Sequence, residues 1–519
     1  MFYPNIEEFK KMAGAAGPDG RMFDLIPVYK EILADAETPV SAFYKIKGKY
    51  SFLLESVMGG EKWARFSFLG VSPLSIFKSW GNKVVTEILP REGQDNVRPE
   101  PRPVSDPIGE LRKELTRFYA PTLSSLPRFY GGLVGFMGYE NVRFFERLNI
   151  GDKMGDNPSL GLPDMFFMTM DTVLIFDNLK QVIKVVANAR MMDERGFVVD
   201  YNEAYDKAKS KINSIIETLG KSATLPSLDV NYEYPDVQYK SSFTKHDFLG
   251  AVEKSKEYIR AGDVFQVVIS QRFETEEHVE PFNIYRALRV INPSPYMFYL
   301  DIGEAAIVGS SPEILVRLEG NRVILRPIAG TRPRGLSDEE DLDMERQLKA
   351  DPKEQAEHIM LVDLGRNDVG RVAQPGTVEV TDLMCVERYS HVMHLVSNVE
   401  GTLAAGLDAF DVLRACFPAG TVTGAPKVRA MEIIDELEPV LRGPYAGAVG
   451  YFSFSGAMDM CITIRTLVIK DGTVYVQAGA GIVADSTAEG EYNETVNKAK
   501  GMMRAVQMAK TQFYNPKQE

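Results

Sequence analysis

Residues 351–368 read DPKEQAEHIMLVDLGRND, and the rest of the chain is organised around this stretch. Asp351 is a good helix N-cap, and Pro352 suits the first helical position because its missing N–H would be unpaired there anyway. Ile359, Met360 and Leu364 fall at helical spacing, and Gly365 predicts the stop. Glu354 and Glu357 lie three apart, so both project from one face near the helix start. A second stretch repeats the pattern: Ser486 and Glu489 read as a capping box, and Glu491 and Glu494 follow. Carboxylates from two helix starts make a cage for a hard divalent cation, which prefers oxygen ligands. Each pair also has a plain structural reading. Acidic first turns complement the helix dipole, Glu354 stands where a capping-box Glu belongs, and Glu494 can pair with Lys498. Spacing alone leaves metal site and solvated charge both open.

At 519 residues the chain exceeds a typical single domain, which predicts two halves or one large composite core. Its 45% hydrophobic and 25% charged content is that of a soluble globular protein. A formal net charge of −13, with no sustained Lys/Arg block, argues against nucleic acid as a partner. Cys385, Cys416 and Cys461 are odd in number and widely spaced, giving no disulfide framework and fitting a reducing compartment. The start, MFYPNIEEFKKMAG, lacks the basic region and apolar core of a signal peptide. The apolar run 165–176 is interrupted by Asp171 and is too short to span a bilayer. These features predict a cytoplasmic protein without a membrane partner.

Short amphipathic helical pieces are expected at 7–12 and 27–34, then extended chain at 42–46 and 50–56 and a turn at Gly59-Gly60. Residues 63–70 and 74–77 continue the β character, and the Pro- and charge-rich 89–107 reads as a loop. After a helix at 108–119, RFYGGLVGFMGYE (128–140) mixes glycines with large apolar residues, the mark of close backbone approach. Strands near 165–176 and 181–187 precede a helix at 201–219. Residues 220–242 have little periodicity, and the main boundary is placed there, giving regions 1–235 and 236–519.

In the second region a helix at 243–261 stops at Gly262, and VFQVVISQR (264–272) reads as a buried strand. A rigid turn at 292–296 feeds a strand at 297–300. Strands at 306–309 and 313–318 flank a turn at Ser310-Ser311-Pro312. The strand 323–328 ends in Ala329-Gly330-Thr331, whose free N–H groups and hydroxyl suit an anionic ligand. A polar segment at 332–343 leads into the acidic helix. Residues 458–470 and 473–477 read as a hairpin turned at Asp471-Gly472, with Arg465 facing away from Ile462 and Ile464. GTVTGAPK (420–427) lacks the Gly-Lys of a phosphate-binding loop, Gly479-Ala480-Gly481 is a lone GxG, and no HExxH or GxSxG occurs.

Seven segments nevertheless occur in order over about 140 residues: EHIMLVDLGRND, RYSHVMHLVS, FPAGTVTGAPK, GAVGYF, CITIRT, QAGAGIV and EYNETVNKA. Together they resemble the chorismate-binding enzymes, and in particular the large subunits (component I) of anthranilate synthase. The resemblance is strong over 243–500 and looser over 40–176. It implies an α+β fold of stacked antiparallel β-sheets with outer helices. It also implies an enzyme that converts chorismate and ammonia to anthranilate and pyruvate, the first step of tryptophan biosynthesis. Magnesium would be held by Glu357 and Glu494 directly, with Glu354 and Glu491 acting through water. Gly330 and Thr331, with Gly479, Ala480 and Gly481, would hold the ring end of the substrate. Tyr445 and Arg465 would take the pyruvyl carboxylate, and Lys427 would add positive charge nearby.

By the same resemblance Glu313 is the general acid for the departing C4 hydroxyl, His394 assists loss of the C2 proton and pyruvate, and Thr331 counts with them among the catalytic residues. No glutaminase motif occurs, which implies a separate glutamine amidotransferase subunit and a hetero-oligomer. The LLES segment (53–56) resembles the inhibitor site of these subunits. Glu55 and Ser56, with Pro295, Tyr296 and Met297 opposite, would bind tryptophan. Sister enzymes make isochorismate, aminodeoxychorismate or 2-amino-2-deoxyisochorismate. Gln266 and Ala329 stand where isochorismate- and aminodeoxychorismate-forming relatives typically carry lysines, which points to direct amination at C2. A non-catalytic ligand-binding regulator is the alternative from another class.

Overall fold

The computed structural model describes residues 1–17, 20–57, 65–89, 99–148, 159–192, 197–228, 237–389, 392–511 and 513–514. The expected Gly59-Gly60 turn, the middle of the 89–107 loop and the boundary at residue 235 lie outside the described residues. Two large antiparallel sheets dominate. The first runs Leu25–Leu33, Val182–Arg190, Thr172–Asp177, Phe66–Gly70, Ser51–Glu55, Tyr296–Asp301, Ala306–Ser311, Thr466–Lys470, Thr473–Ile482 and Gln266–Glu276. The second runs Ile328–Pro333, Val392–Thr402, Arg322–Leu325, Ile314–Glu319, Met458–Ile462, Ala448–Ser453, Gly132–Met137, Met165–Met170, Ser75–Trp80 and Lys83–Ile88. Both sheets join strands from before and after residues 220–242. The seams have Met297 opposite Glu55 in one and Gly450 opposite Gly135 in the other.

Alternation along the strands explains the layers. Phe52, Leu300 and Ile307 of the first sheet pack with Phe136, Phe166, Val316 and Met460 of the second. The neighbouring Leu53, Tyr299 and Val308 face the opposite way, onto Ile212, Tyr285, Leu288 and Val506. Successive strand side chains point to opposite faces, so the first sheet is buried on both sides and its strands are apolar almost throughout. The outer cover includes the helices Ile6–Ala13, Pro39–Ile46, Tyr201–Leu219, Pro281–Ile291 and Ala488–Thr511.

Several local expectations change. The 27–34 piece belongs to strand Leu25–Leu33, whose neighbour Val182–Arg190 supplies ladder partners along its whole length. Residues 42–46 lie in helix Pro39–Ile46, capped by Thr38. Helices Pro281–Ile291, Asp338–Ala350 and Ala409–Cys416 also form. The run 165–176 is two strands belonging to different sheets, with the chain crossing over at Asp171. The acidic helix extends over Pro352–Gly370, passing through Gly365. Among the described residues no helix is long and apolar enough to cross a membrane.

Candidate active site

The site forms where the chain passes from one sheet to the other. Ala306–Ser311 leaves the first sheet, and after Pro312-Glu313 the chain enters the second as Ile314–Glu319. Met458–Ile462 makes the return crossing through Thr463, Ile464 and Arg465 into Thr466–Lys470. Arg465 therefore does not sit on the face of a continuous strand, as a hairpin would require. It is the break itself, with φ +50°, a region that non-glycine residues rarely adopt.

These two crossings, the bulged strand Ile328–Pro333 and the strand Thr473–Ile482 line a cavity of about 230 Å³. Glu313, Thr331, His394, Tyr445, Arg465, Gly479, Gly481 and Glu357 all face it, as do Gln266 and Ala329. Burial pushes the Glu313 carboxyl up to about 8, while the Thr421 hydroxyl and the Ile328 backbone pull weakly the other way. The group is thus largely protonated at neutral pH and able to donate.

The ring of His394 has its Nδ1 2.9 Å from the Gly330 carbonyl and 3.1 Å from the Thr331 hydroxyl. A carbonyl only accepts, so Nδ1 carries the proton and Nε2 keeps its lone pair. Desolvation, with the Arg465 charge adding to it, holds this imidazole below its ordinary value. It is a neutral base. Gly330 itself has φ +68° at the bulge, which frees its carbonyl for the histidine.

Arg465 is desolvated, and the Glu494 charge acts on it only from beyond ion-pairing distance. A desolvated guanidinium that faces a cavity without a bonded carboxylate is a site for an anion. Burial raises the pKa of the Tyr445 hydroxyl to about 12, while the Gly479 backbone beside it pulls the other way. A Cβ at position 479 would stand 2.6 Å from that hydroxyl, so only glycine fits there. Ala480 faces the other way, as strand alternation requires, and does not line the cavity.

Lys427 is not in the cavity lining either. Its ammonium pairs with Asp368 of the acidic helix at 2.8 Å, the Asp368 side chain buried and that of Lys427 partly exposed. Lys498 enters instead, donating to the Gly479 carbonyl at 2.9 Å and pairing with Glu494 at 2.6 Å. Its i,i+4 spacing from Glu494 signals the ion pair but not the cavity. Thr421 and Gln477 are further lining residues that carry no sequence signal.

The carboxylates gather as a loose group at the cavity edge. Burial first, then Glu354 and Glu494, raises the pKa of Glu357. Burial and Glu494 likewise raise that of Glu491, whose partner is Ser486. The side-chain cap of the second helix is Thr487, which accepts from the Gly490 N–H, while Glu489 pairs with Lys245. Glu354 pairs with Arg332 at 3.1 Å. Among the described residues no three acidic, His or Cys side chains converge on one point. The donor set is nonetheless all carboxylate oxygen, and its mutual repulsion is what a small dication would relieve.

A second cavity, of about 300 Å³, lies at the seam of the first sheet. Glu55, Ser56, Pro295, Tyr296 and Met297 all line it, joined by Arg65, Arg128 and Tyr451. The Glu55 carboxylate accepts from the Tyr285 hydroxyl and from Arg289 Nη2 at 3.3 Å. The Tyr296 hydroxyl donates to Asp459 at 2.9 Å, and Arg317 donates to that same hydroxyl.

The family model described as chorismate binding enzyme matches residues 60–504. The chain belongs to the chorismate-binding enzyme family. Among chorismate-binding relatives it is 49% identical to anthranilate synthase component 1 of Acetivibrio thermocellus, over 98% of this chain and 99% of the relative. It is 48% identical to anthranilate synthase component 1 of Aquifex aeolicus, over 97% and 98%. The crystal structure of anthranilate synthase component I from Streptococcus pneumoniae aligns with TM-score 0.71 and 38% identity, over 91% of this chain and 98% of that one. The menaquinone-specific isochorismate synthase of Escherichia coli shares the fold, with TM-score 0.67 at 19% identity. The stacked antiparallel sheets with outer helices are thus the architecture of chorismate-binding enzymes.

Proposed function

We propose that this chain is the chorismate-aminating subunit of an anthranilate synthase, releasing anthranilate and pyruvate. The observation that carries the reading is one cavity uniting a protonated Glu313, a neutral His394 and a desolvated Arg465. Arg465 and Tyr445 hold the pyruvyl carboxylate, and Thr331 with the Gly479 and Gly481 backbone holds the ring end. Glu313 gives its proton to the C4 hydroxyl as ammonia attacks C2. His394 Nε2 then takes the C2 proton as pyruvate leaves.

Glu357 and Glu494, with Glu354 and Glu491 around them, are the residues that would hold magnesium, in exchange for Arg332 and Lys498 as partners. The ion supplies positive charge against the ring carboxylate. Gln266 and Ala329 line the cavity where a lysine would activate water or attack C2. This favours free ammonia as nucleophile over the sister reactions giving isochorismate or aminodeoxychorismate. Ammonia comes from a separate glutamine amidotransferase subunit in a cytoplasmic hetero-oligomer, and tryptophan inhibits by binding the seam cavity. The test is the product formed from chorismate, magnesium and an ammonium salt. Anthranilate with equimolar pyruvate is expected, and isochorismate or 4-amino-4-deoxychorismate as main product would overturn the reading. The chain alone should use ammonium and ignore glutamine.

A further inference from the structure

A small second space of about 20 Å³ adjoins the active cavity. It shares with that cavity only Glu313, Leu361 and Thr421. Its volume suits one water molecule, which needs two to four polar partners to be held. The walls supply them: the Glu313 carboxyl, the Asp368 carboxylate, the Thr421 hydroxyl and the Cys416 thiol. The Thr421 hydroxyl is buried and makes no hydrogen bond of good geometry. Leu315, Leu325, Leu364 and Ile462 close the remainder.

Asp368 belongs to the buried ion pair with Lys427, and the Lys427 side chain keeps 10% of its surface in solvent. The other charges near Asp368 are Arg371 and Glu146, and burial dominates its raised pKa. Near Glu313 the further groups are Arg326, paired with Glu387, and Tyr389. A buried pair of this kind is a costly way to gain stability, which directs attention to what else it does.

We propose that this space holds a water linking Glu313 to the Asp368–Lys427 pair, and that the pair returns the proton Glu313 gives up in each turnover. The inference rests on the chorismate reading above. Glu313 transfers its carboxyl proton to the leaving C4 oxygen and becomes a carboxylate. The water then gives one proton to Glu313 and takes one from the Lys427 ammonium by way of Asp368. Lys427 recovers a proton from solvent at its exposed edge, and the water is left unchanged. With substrate seated over Glu313, this route supplies the acid without opening the cavity. Asp368 and Lys427 touch no reacting atom and act as positioning residues.

The experiment compares the first turnover with steady-state turnover by rapid quench, using chorismate, magnesium and an ammonium salt. The variant carries Asp368→Asn and Lys427→Met together, so that neither charge is left buried alone. Asp368→Asn alone is the second variant should the pair fail to fold. Glu313 starts protonated, so the first turnover should stay within about twofold of wild type. The steady-state rate should fall by about tenfold or more, and should recover as the concentration of a small buffer acid rises. Equal loss in both phases, or loss in neither, overturns the proposal. Failure of the underlying reading looks different, because wild type would then form no anthranilate.

Discussion

Glu313 and Arg465 occupy two chain crossings that run side by side between the sheets. The Ile462 N–H donates to the Glu313 carbonyl at 3.0 Å, and the Ser310 N–H donates to the Arg465 carbonyl at 3.1 Å. Glu313 and Arg465 are therefore positioned by backbone hydrogen bonds between the two crossings. Substituting Arg465→Lys should keep the charge but lose the planar fork. Chorismate KM should rise at least about tenfold while the thermal midpoint stays near wild type.

The pH dependence follows from the two titrating groups. Glu313 must be protonated, so kcat should fall as pH rises through about 8. His394 must be neutral, and its value lies below 6.5, so the acid limb should fall below that pH. Glu313→Gln should cut kcat by about 10²–10⁴-fold and abolish the alkaline limb. Stability has its own sign. The folded value of Glu313 exceeds its ordinary value of 4.5, so its contribution is fully present below that pH and lost as pH rises through about 8. Urea midpoints on either side of this window should converge in Glu313→Gln.

His394→Met should leave amination in place and stop aromatisation. The aminated, unaromatised intermediate should accumulate and be seen by chromatography of the quenched reaction. Anthranilate release at the wild-type rate would remove His394 from that role.

Glu357→Gln and Glu494→Gln should raise the magnesium concentration for half-maximal turnover by at least about tenfold, the chain remaining folded by circular dichroism. Apo Glu357→Gln should be no less stable than wild type, because it relieves the repulsion from Glu354 and Glu494. An unaltered magnesium titration in both variants would remove these carboxylates from the metal site.

Ser56→Phe should fill part of the seam cavity and abolish inhibition by tryptophan, with KM for chorismate near wild type. A third cavity, lined by Pro295 and Tyr296 together with Pro312, Ile328 and Tyr389, lies between seam and active cavity. Bound tryptophan should accordingly alter chorismate binding through the Pro312-Glu313 crossing, measurable as a change in chorismate Kd.

Arg442 and Glu438 form an ion pair at 2.6 Å, with side chains 1% and 3% exposed. Arg442 also donates to the carbonyls of Val422 and Val268, beside the active cavity. Glu438→Ala leaves that guanidinium buried and unpaired, and should cost about 3–5 kcal/mol by urea denaturation.

Much of the site is legible in the residue types. A Glu after Ser-Ser-Pro, a Thr at a strand end and an Arg between two apolar segments all reach the cavity, whereas Gly330 does not line it and turns its carbonyl to His394 instead. Lys427 and Lys498 exchange places because either lysine can satisfy a nearby carboxylate, and only packing decides which one faces inward. Ala480 shows the same limit: GAG reads as one unit, yet alternation sends its middle residue away. The helix end at Gly365 is misjudged because a mid-helix glycine costs only about 1 kcal/mol, which packing against the sheet outweighs.

By itself the sequence determined the family, the apolar strands buried on both faces, the N-cap of the acidic helix and the chemical types available for catalysis. These depend on local spacing and on which side chains avoid water. Tertiary structure alone decided that the runs 165–176 and 458–470 each divide between two sheets, and that Glu313 and Arg465 meet at such divisions. An apolar run is equally well buried on either sheet, so its residues carry no mark of where the chain will cross. Long-range strand pairing supplies that information, and with it the cavity.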